Sequence, residues 1–408
     1  MQKSINLFSN HIKNVLHGFF VSVAVTIAEP STILPLIVHY FSKSTVLVGF
    51  YAFLLKGGAI LVQLVAAYYI QSHKIVLPYL KRVFLARFLS WFFIGFSIVV
   101  FGRDHPSLTL FLIGVGLFFF SFSAGFGAIF YNEISAKMFT KEFLGFTMSY
   151  RQFFAGLGSI VSGAAAGFIL ERFPPPLNFG YLFIVSSFLM GMGLLAFSTV
   201  KEPVKEKVAK KEKSFKKFVK EAFLLLKKDK NLKNQILSRL FSNAYLIALP
   251  FIILQAKDKI SISGSDVGIL ISSQMTGSML SNLLWGKLAS RGKNKSIILI
   301  AISILIAVML YVNFAKTIYE YAVLFFLTGA AIDGIRLGFG NLIIIIAPQE
   351  YRPTYIALQV NISSFGLLFS VLGGFILKIS GYTQIYAFSA LFLFLALFFA
   401  MKIKESAE

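Results

Sequence analysis

The residues best placed to do chemistry are eight ionisable side chains set inside long apolar runs. Three are acids, Glu29, Glu133 and Asp333, and five are bases, Lys56, Arg87, Arg151, Arg239 and Arg336. A charged side chain at mid-bilayer costs at least about 2.5 kcal/mol on insertion scales. A charge retained there is therefore a candidate for binding, ion coupling or gating. Glu29 is the sharpest case. It lies about 15 residues into its run, roughly 22 Å at 1.5 Å per residue, and Pro30 follows it directly. Proline removes a backbone hydrogen bond and disfavours α geometry at the preceding residue. A carboxylate beside a loosened helix suits a substrate or proton site, because a carboxyl buried without a partner can exchange a proton near neutral pH. Lys56 lies about 11 residues into the next run, which returns the other way, so the two can reach one depth. Two readings stay open: Glu29 as a coupling or substrate residue, and Glu29 as half of a structural ion pair with Lys56.

Asp333 and Arg336 are three residues apart, on one helical face. They form either a local pair or an anion site in which Asp333 tunes Arg336. Arg239 and Asn243 lie one turn apart near the cytoplasmic end of the seventh run. Glu133 and Arg151 flank the loop between the fourth and fifth runs, and with Arg87 they read mainly as a gating or structural cluster. Ser22, Thr26, Asn132 and Gln274 are uncharged polar candidates. The five histidines fall near run ends or in loops, with no spacing that suits a metal pair. There is no cysteine, so disulfide, thiol and thiolate-metal chemistry are excluded. No phosphate-cradling loop, nucleophile–base pair or catalytic carboxylate pair is present. No cofactor, metal or enzymatic activity is expected.

These charges need apolar elements to carry them. Hydrophobic residues make up 57% of the chain and charged residues 14%, and mean hydropathy is +0.78. A soluble domain carries about 25% charged residues, so lipid must cover much of this surface. The net charge of +22 sits in short loops between apolar runs, which marks topology rather than nucleic-acid binding. Spans of about 20 residues are expected at 14–39, 45–71, 80–101, 107–133, 143–171, 179–199, 235–256, 265–288, 296–314, 317–347, 353–379 and 382–402. The first run is too long for a signal-peptide core and lacks a small-residue cleavage pattern.

The one long polar stretch is 201–233, with 13 lysines and five acids. It divides the chain into an N-terminal six-helix bundle (1–200), a basic linker (201–233) and a C-terminal six-helix bundle (234–408). Within it, Phe215, Phe218, Val219, Ala222, Phe223 and Leu226 recur at helical spacing among lysines, which predicts an amphipathic helix on an anionic membrane surface. Of the 39 lysines and arginines, 27 fall in the termini, the linker and the loops on one side, seven in the opposite loops and five within spans. That asymmetry places both termini and the linker in the cytoplasm.

The two halves repeat. Val48-Gly49 aligns with Val267-Gly268 at an offset of 219, which sets Gly58 on Gly277. An offset of 208 sets Gly158 on Gly366, Ser162 on Ser370 and Ala166 on Gly374. Both matches fall in equivalent spans, as a parallel duplication of six helices requires. Gly286-Lys-Leu-Ala-Ser-Arg-Gly-Lys-Asn-Lys295 is similar to the G-x-L-a-D-R-x-G-R-K loop of the major facilitator superfamily. The loops at Glu142 and Glu350 resemble its P-x-x-x-R-G loops. Ser290 replaces the usual aspartate, and the first-half copy (Ala67 to Lys74) lacks the glycine, acid and arginine. With its twelve spans and basic linker, the chain resembles that superfamily throughout, with no subfamily signature.

The resemblance implies an all-α membrane fold of two parallel six-helix repeats. Spans 1, 4, 7 and 10 should line a central cavity, which places Glu29, Glu133 and Asp333 on cavity helices, and Arg291 should take part in gating. Spans 2 and 11, and 5 and 8, should meet. Independently, these spans carry small residues: Gly57 and Gly58; Gly373 and Gly374; Ser159, Gly163 and Gly167; Ser273, Gly277 and Ser281. Small residues let helices approach closely. The expected function is secondary transport of a small amphipathic or hydrophobic solute by alternating access, proton-coupled through Glu29, with efflux as one direction. A lipid or lysolipid flippase of the same fold, a polytopic membrane enzyme or assembly factor, and a non-transporting sensor are the alternatives. The expected partners are the solute or lipid, protons and the bilayer, with no nucleic acid. The expected location is the plasma (inner) membrane, and the expected working unit is a monomer.

Overall fold

The structure, a computed structural model, describes residues 2–29, 31–70, 73–204, 225–226, 228–348 and 352–405. Five residues of the expected linker helix, Phe215, Phe218, Val219, Ala222 and Phe223, lie outside them, as do Pro30 and the loop residue Glu350.

The described residues are helical almost throughout. The first part holds α1 (Gln2–Ile27), α2 (Ile33–Ser42), α3 (Thr45–Ile70), α4 (Leu77–Phe101), α5 (Pro106–Met138), α6 (Lys141–Arg172) and α7 (Leu177–Ser198). After the linker come α8 (Lys230–Ser242), a 3₁₀ turn (Asn243–Ile247), α9 (Leu249–Ile260), α10 (Gly264–Ser290), α11 (Asn294–Tyr311) and α12 (Ile318–Ile346). The chain ends with α13 (Arg352–Ser364), a second 3₁₀ turn (Phe365–Leu368), α14 (Phe369–Ser380) and α15 (Tyr382–Met401). Among the described residues, nine helical stretches are long and apolar enough to cross a membrane. The other three expected spans are carried by α1 with α2, by α3 and by α10.

Local chemistry sets the ends. Asp229 caps α8 by accepting from the N–H groups of Asn231 (2.8 Å) and Leu232 (2.9 Å). Thr317 and Glu320 form a capping box at α12. Glu202 accepts from Val76 N (2.9 Å) and Leu77 N (2.7 Å) at the start of α4, and pairs with Lys137 at 2.8 Å.

Three expected continuous spans are broken. The first stops at Ile27 and resumes at Ile33, as the proline rule leads one to expect near Glu29. The seventh and eleventh tighten into 3₁₀ turns at Asn243 and Phe365; Pro250, in the first turn of α9, accounts for the first of these.

The chain forms two compact units. One comprises Met1–Lys43, Leu54–Lys211 and Ser263–Ser272, and the other Ser44–Phe53, Glu212–Ile262 and Ser273–Glu408. The first unit has its core around Trp91, which packs on Phe120 (4.2 Å between ring centroids) and Phe183 (4.7 Å) and donates to Ser186 Oγ (2.7 Å). In the second, Trp285 donates to Ala330 O (3.0 Å), and Gln255 Oε1 accepts from Tyr386 (2.9 Å) and Tyr321 (3.3 Å). Buried indole and phenol groups thus have partners, as an apolar interior demands. The exposed faces carry Val161, Leu195, Leu283 and Ile379, each more than 65% exposed. So much bare aliphatic surface suits lipid rather than water.

Candidate functional site

Glu29 lies in the break between α1 and α2 and is buried. Its Oε1 accepts two hydrogen bonds from Ser31, from the backbone N–H at 3.0 Å and from the hydroxyl at 2.7 Å. Its backbone is also engaged: Glu29 N donates to Thr26 O (3.2 Å), and Glu29 O accepts from Ile33 N (2.8 Å). Thr26 and Thr32 are buried beside it. Lys56 is exposed. It lies within electrostatic reach of Glu29, but the two make no ion pair within 4.0 Å. The ion pairs found among the described residues are Lys137–Glu133, Lys137–Glu202 and Arg336–Asp333. The direct Glu29–Lys56 pair, one of the two readings of the sequence, is therefore not formed. The Ser31 hydroxyl and N–H hold the carboxylate instead.

In the second unit, Asp333 is buried and has three partners. Arg336 Nη2 lies 2.7 Å from Oδ1. Asn282 Nδ2 donates to Oδ2 at 3.2 Å, and the Ser278 hydroxyl donates to the same oxygen. Nothing in the sequence signals Ser278 and Asn282, because helical spacing alone does not say which helix lies opposite. Arg336 keeps a 60% exposed side chain, so Asp333 orients its guanidinium without sequestering it. Arg239 sits 5.4 Å over the Phe339 ring and is within electrostatic reach of Arg336. Its Nη1 is buried with no hydrogen-bond partner. Asn243 opens the 3₁₀ turn and donates to Ser363 O at 2.9 Å, which ties the broken seventh span to α13. Arg291 is exposed in the turn after α10, beside Gly292 at φ +73°.

The remaining charges divide differently from what sequence spacing suggests. Glu133 pairs with Lys137 at 3.6 Å. Arg87 and Arg151 gather instead around His17, which is buried 15 residues along α1. Sequence spacing does not show this burial, because the rings that cover His17 (Phe84, Tyr131 and Phe197) come from other helices. Arg151 lies 5.2 Å over Tyr131, and Arg87 lies 4.8 Å over Phe120. A cation–π contact is worth about 0.5–2 kcal/mol, while removing an ion from water costs several kcal/mol.

An apolar pocket of about 400 Å³ lies on α1 and α6, lined by His11, Ile12, Val15, Leu16, Phe19, Tyr150 and Phe154.

Two helix contacts match the expected pairs. In the second unit, Ser370 Oγ donates to Gly49 O (2.9 Å) and Thr45 Oγ1 donates to Gly374 O (2.9 Å), so the start of α3 lies against α14. In the first unit, Ser272 Oγ donates to Ile160 O (3.0 Å), and a Cβ on Gly167 would lie 3.0 Å from Gly268 Cα. These are the span 2–11 and span 5–8 contacts.

The Major Facilitator Superfamily profile matches residues 15–255 and 234–407. The chain belongs to this superfamily and is a multi-pass integral membrane protein with a transporter fold. No curated protein sequence matches it. Among solved structures it is similar to a D-xylose–proton symporter, with a TM-score of 0.71 at 14% identity over 98% of this chain and 97% of that one. It is similar to the nucleoside transporter NupG, with a TM-score of 0.73 at 11% identity over 96% and 98%. A bacterial homologue of the human lysosomal transporter Spinster, inward-facing, gives a TM-score of 0.66 at 14% identity over 98% and 96%. At these identities the likeness concerns the fold.

Proposed function

We propose that this protein is a secondary active transporter that moves a small amphipathic solute across the plasma (inner) membrane by alternating access, driven by protons through Glu29. The observation that carries the reading is the setting of Glu29. Its carboxylate is buried in a break of the first span. Among the described residues it is held by Ser31 and has no cation within 4.0 Å. A carboxylate without a fixed countercharge can be neutralised by a proton, and the surrounding break lets the chain adjust when it is. The two bundles are 1–200 and 234–408, joined by the linker 201–233, with both termini cytoplasmic and a monomer as the working unit. Outward transport of the solute fits the same cycle.

Solute recognition rests on Asp333, Arg336 and Asn243 with Thr26 and Lys56. Arg87, Arg151, Glu133, Arg239 and Arg291 are gating or structural charges. The apolar pocket on α1 and α6 supports an amphipathic cargo and also favours the second reading, a lipid or lysolipid flippase.

The test begins with thermal stability of the purified protein in detergent. Lipophilic cations, lysophospholipids, amino acids, sugars and organic anions are screened at two pH values. A ligand at 100 times its dissociation constant stabilises by about 2.7 kcal/mol. The ligand found is then taken into pH-gradient-driven uptake with wild type and Glu29→Gln. Uptake that ignores the gradient removes the coupling role of Glu29. Stabilisation by lysophospholipids alone, with headgroup flipping in vesicles, selects the flippase.

A further inference from the structure

The first unit holds a second polar cluster to which the transport reading assigns no ligand. His17 on α1 is 5% exposed, and neither ring nitrogen has a hydrogen-bond partner. Its ring is stacked against Phe84 (5.5 Å) and Tyr131 (5.4 Å) and packs at a tilt on Phe197 (5.1 Å), so it is held in place by aromatic walls on α4, α5 and the end of α7. The guanidinium groups of Arg87 on α4 and Arg151 on α6 both lie within electrostatic reach of that ring. The Nε of each arginine is buried and unpartnered. Among the described residues neither arginine has a carboxylate within 4.0 Å. The tyrosine between them is already engaged: Tyr131 donates to Asn14 Oδ1 (2.7 Å), Asn14 donates to Thr147 Oγ1 (3.1 Å), and Thr147 Oγ1 lies 2.8 Å from His11 Nδ1.

Two half-buried arginines, each with its Nε buried, lie near a buried imidazole, with no carboxylate within 4.0 Å of either among the described residues. Their ring contacts offset only part of the cost of partly desolvating two like charges. What is missing is an acceptor with negative charge. Guanidinium N–H forks match the planar or tetrahedral oxygens of carboxylates and phosphates better than a spherical ion, and a neutral imidazole adds one further donor. The four side chains sit at one level. Arg87 and Arg151 are each ten residues from the start of their helices, and Tyr131 is seven from the end of its own, about 10–15 Å in from those helix ends at 1.5 Å per residue. Glu29 lies twelve residues farther along the first span than His17, about 18 Å by the same rise, so this cluster is distinct from the coupling carboxylate.

We propose that His17, Arg87 and Arg151 form an oxyanion-binding site within the first unit, taking a carboxylate or phosphate group. The group can arrive as a free anion or as the head of an amphipathic solute. Binding at this site does not depend on proton coupling through Glu29.

The test is isothermal titration calorimetry on the full-length protein in dodecyl maltoside, with sodium phosphate, acetate and octanoate as probes against sodium chloride at equal ionic strength. Wild type is expected to bind phosphate or a carboxylate saturably at one site per chain. Arg87→Gln combined with Arg151→Gln is expected to weaken that binding at least about tenfold. His17→Phe keeps the aromatic stack and so keeps the fold, and it is expected to weaken binding about threefold or more. Octanoate bound more tightly than acetate assigns the site to a solute headgroup; phosphate or acetate bound as well as octanoate assigns it to a free anion. No saturable binding of any probe to wild type, or binding unchanged in His17→Phe and in the double variant where that variant folds, overturns the proposal.

Discussion

Ser31 holds one oxygen of Glu29 with two hydrogen bonds, at 3.0 Å from its backbone N–H and 2.7 Å from its hydroxyl. Both donors lie two residues along the chain, inside the break between α1 and α2. The carboxylate is thus aimed by the local backbone and not by a distant helix. Ser31→Ala should remove the hydroxyl bond and lower stability by about 1–2 kcal/mol. Glu29→Gln still offers an acceptor oxygen, so it should stay within about 1 kcal/mol of wild type. Thermal unfolding in detergent measures both.

Lys56 contributes charge at a distance rather than a contact. A double-mutant cycle of Glu29→Gln and Lys56→Ala should give a coupling of no more than about 0.5 kcal/mol, as for an exposed partner. A coupling above about 1.5 kcal/mol would restore the direct pair.

Asp333 and Arg336 should differ in weight although they touch. Asp333→Ala leaves Ser278, Asn282 and Arg336 without their common acceptor, and should cost about 2–3 kcal/mol. Arg336 is largely exposed, so Arg336→Ala should cost about 1 kcal/mol or less. Equal losses in urea or thermal unfolding would place the stabilisation in the ion pair and not in the three-way acceptor.

Glycine substitutions separate close approach from open space. A Cβ at Gly49 would fall on the Ser370 carbonyl, and one at Gly374 would lie 2.5 Å from Thr45 O. Gly49→Val and Gly374→Val should each cost about 1–3 kcal/mol. At Gly340 on α12, an added methyl group would meet nothing within 4 Å, so Gly340→Ala should stabilise by about 0.5–1 kcal/mol. Thermal unfolding of the three variants gives the contrast.

Much of the architecture is legible in the sequence because a bilayer imposes its own rules. Twenty-residue apolar runs follow from hydrocarbon thickness and backbone satisfaction, and the small residues of spans 2, 5, 8 and 11 from close helix approach. The break at Glu29 is legible through Pro30. The 3₁₀ turn at Asn243 is legible in part, since Pro250 in the first turn of α9 cannot bond back to Leu246; the turn at Phe365 has no proline, and there Gly366 packs against Asn243. The acceptor role of Asp333 is half legible: its partner three residues on shares its helix, whereas Ser278 and Asn282 come from another. The buried place of His17 is hidden because the rings that cover it, Phe84, Tyr131 and Phe197, come from three other helices.

The most direct measurement is uptake, in proteoliposomes with an imposed pH gradient, of the ligand that stabilises the purified protein, comparing wild type with Glu29→Gln. Gradient-driven accumulation is expected in wild type and its loss in Glu29→Gln, with ligand binding and thermal stability retained. Accumulation of the same size and pH dependence in both proteins would contradict coupling through Glu29.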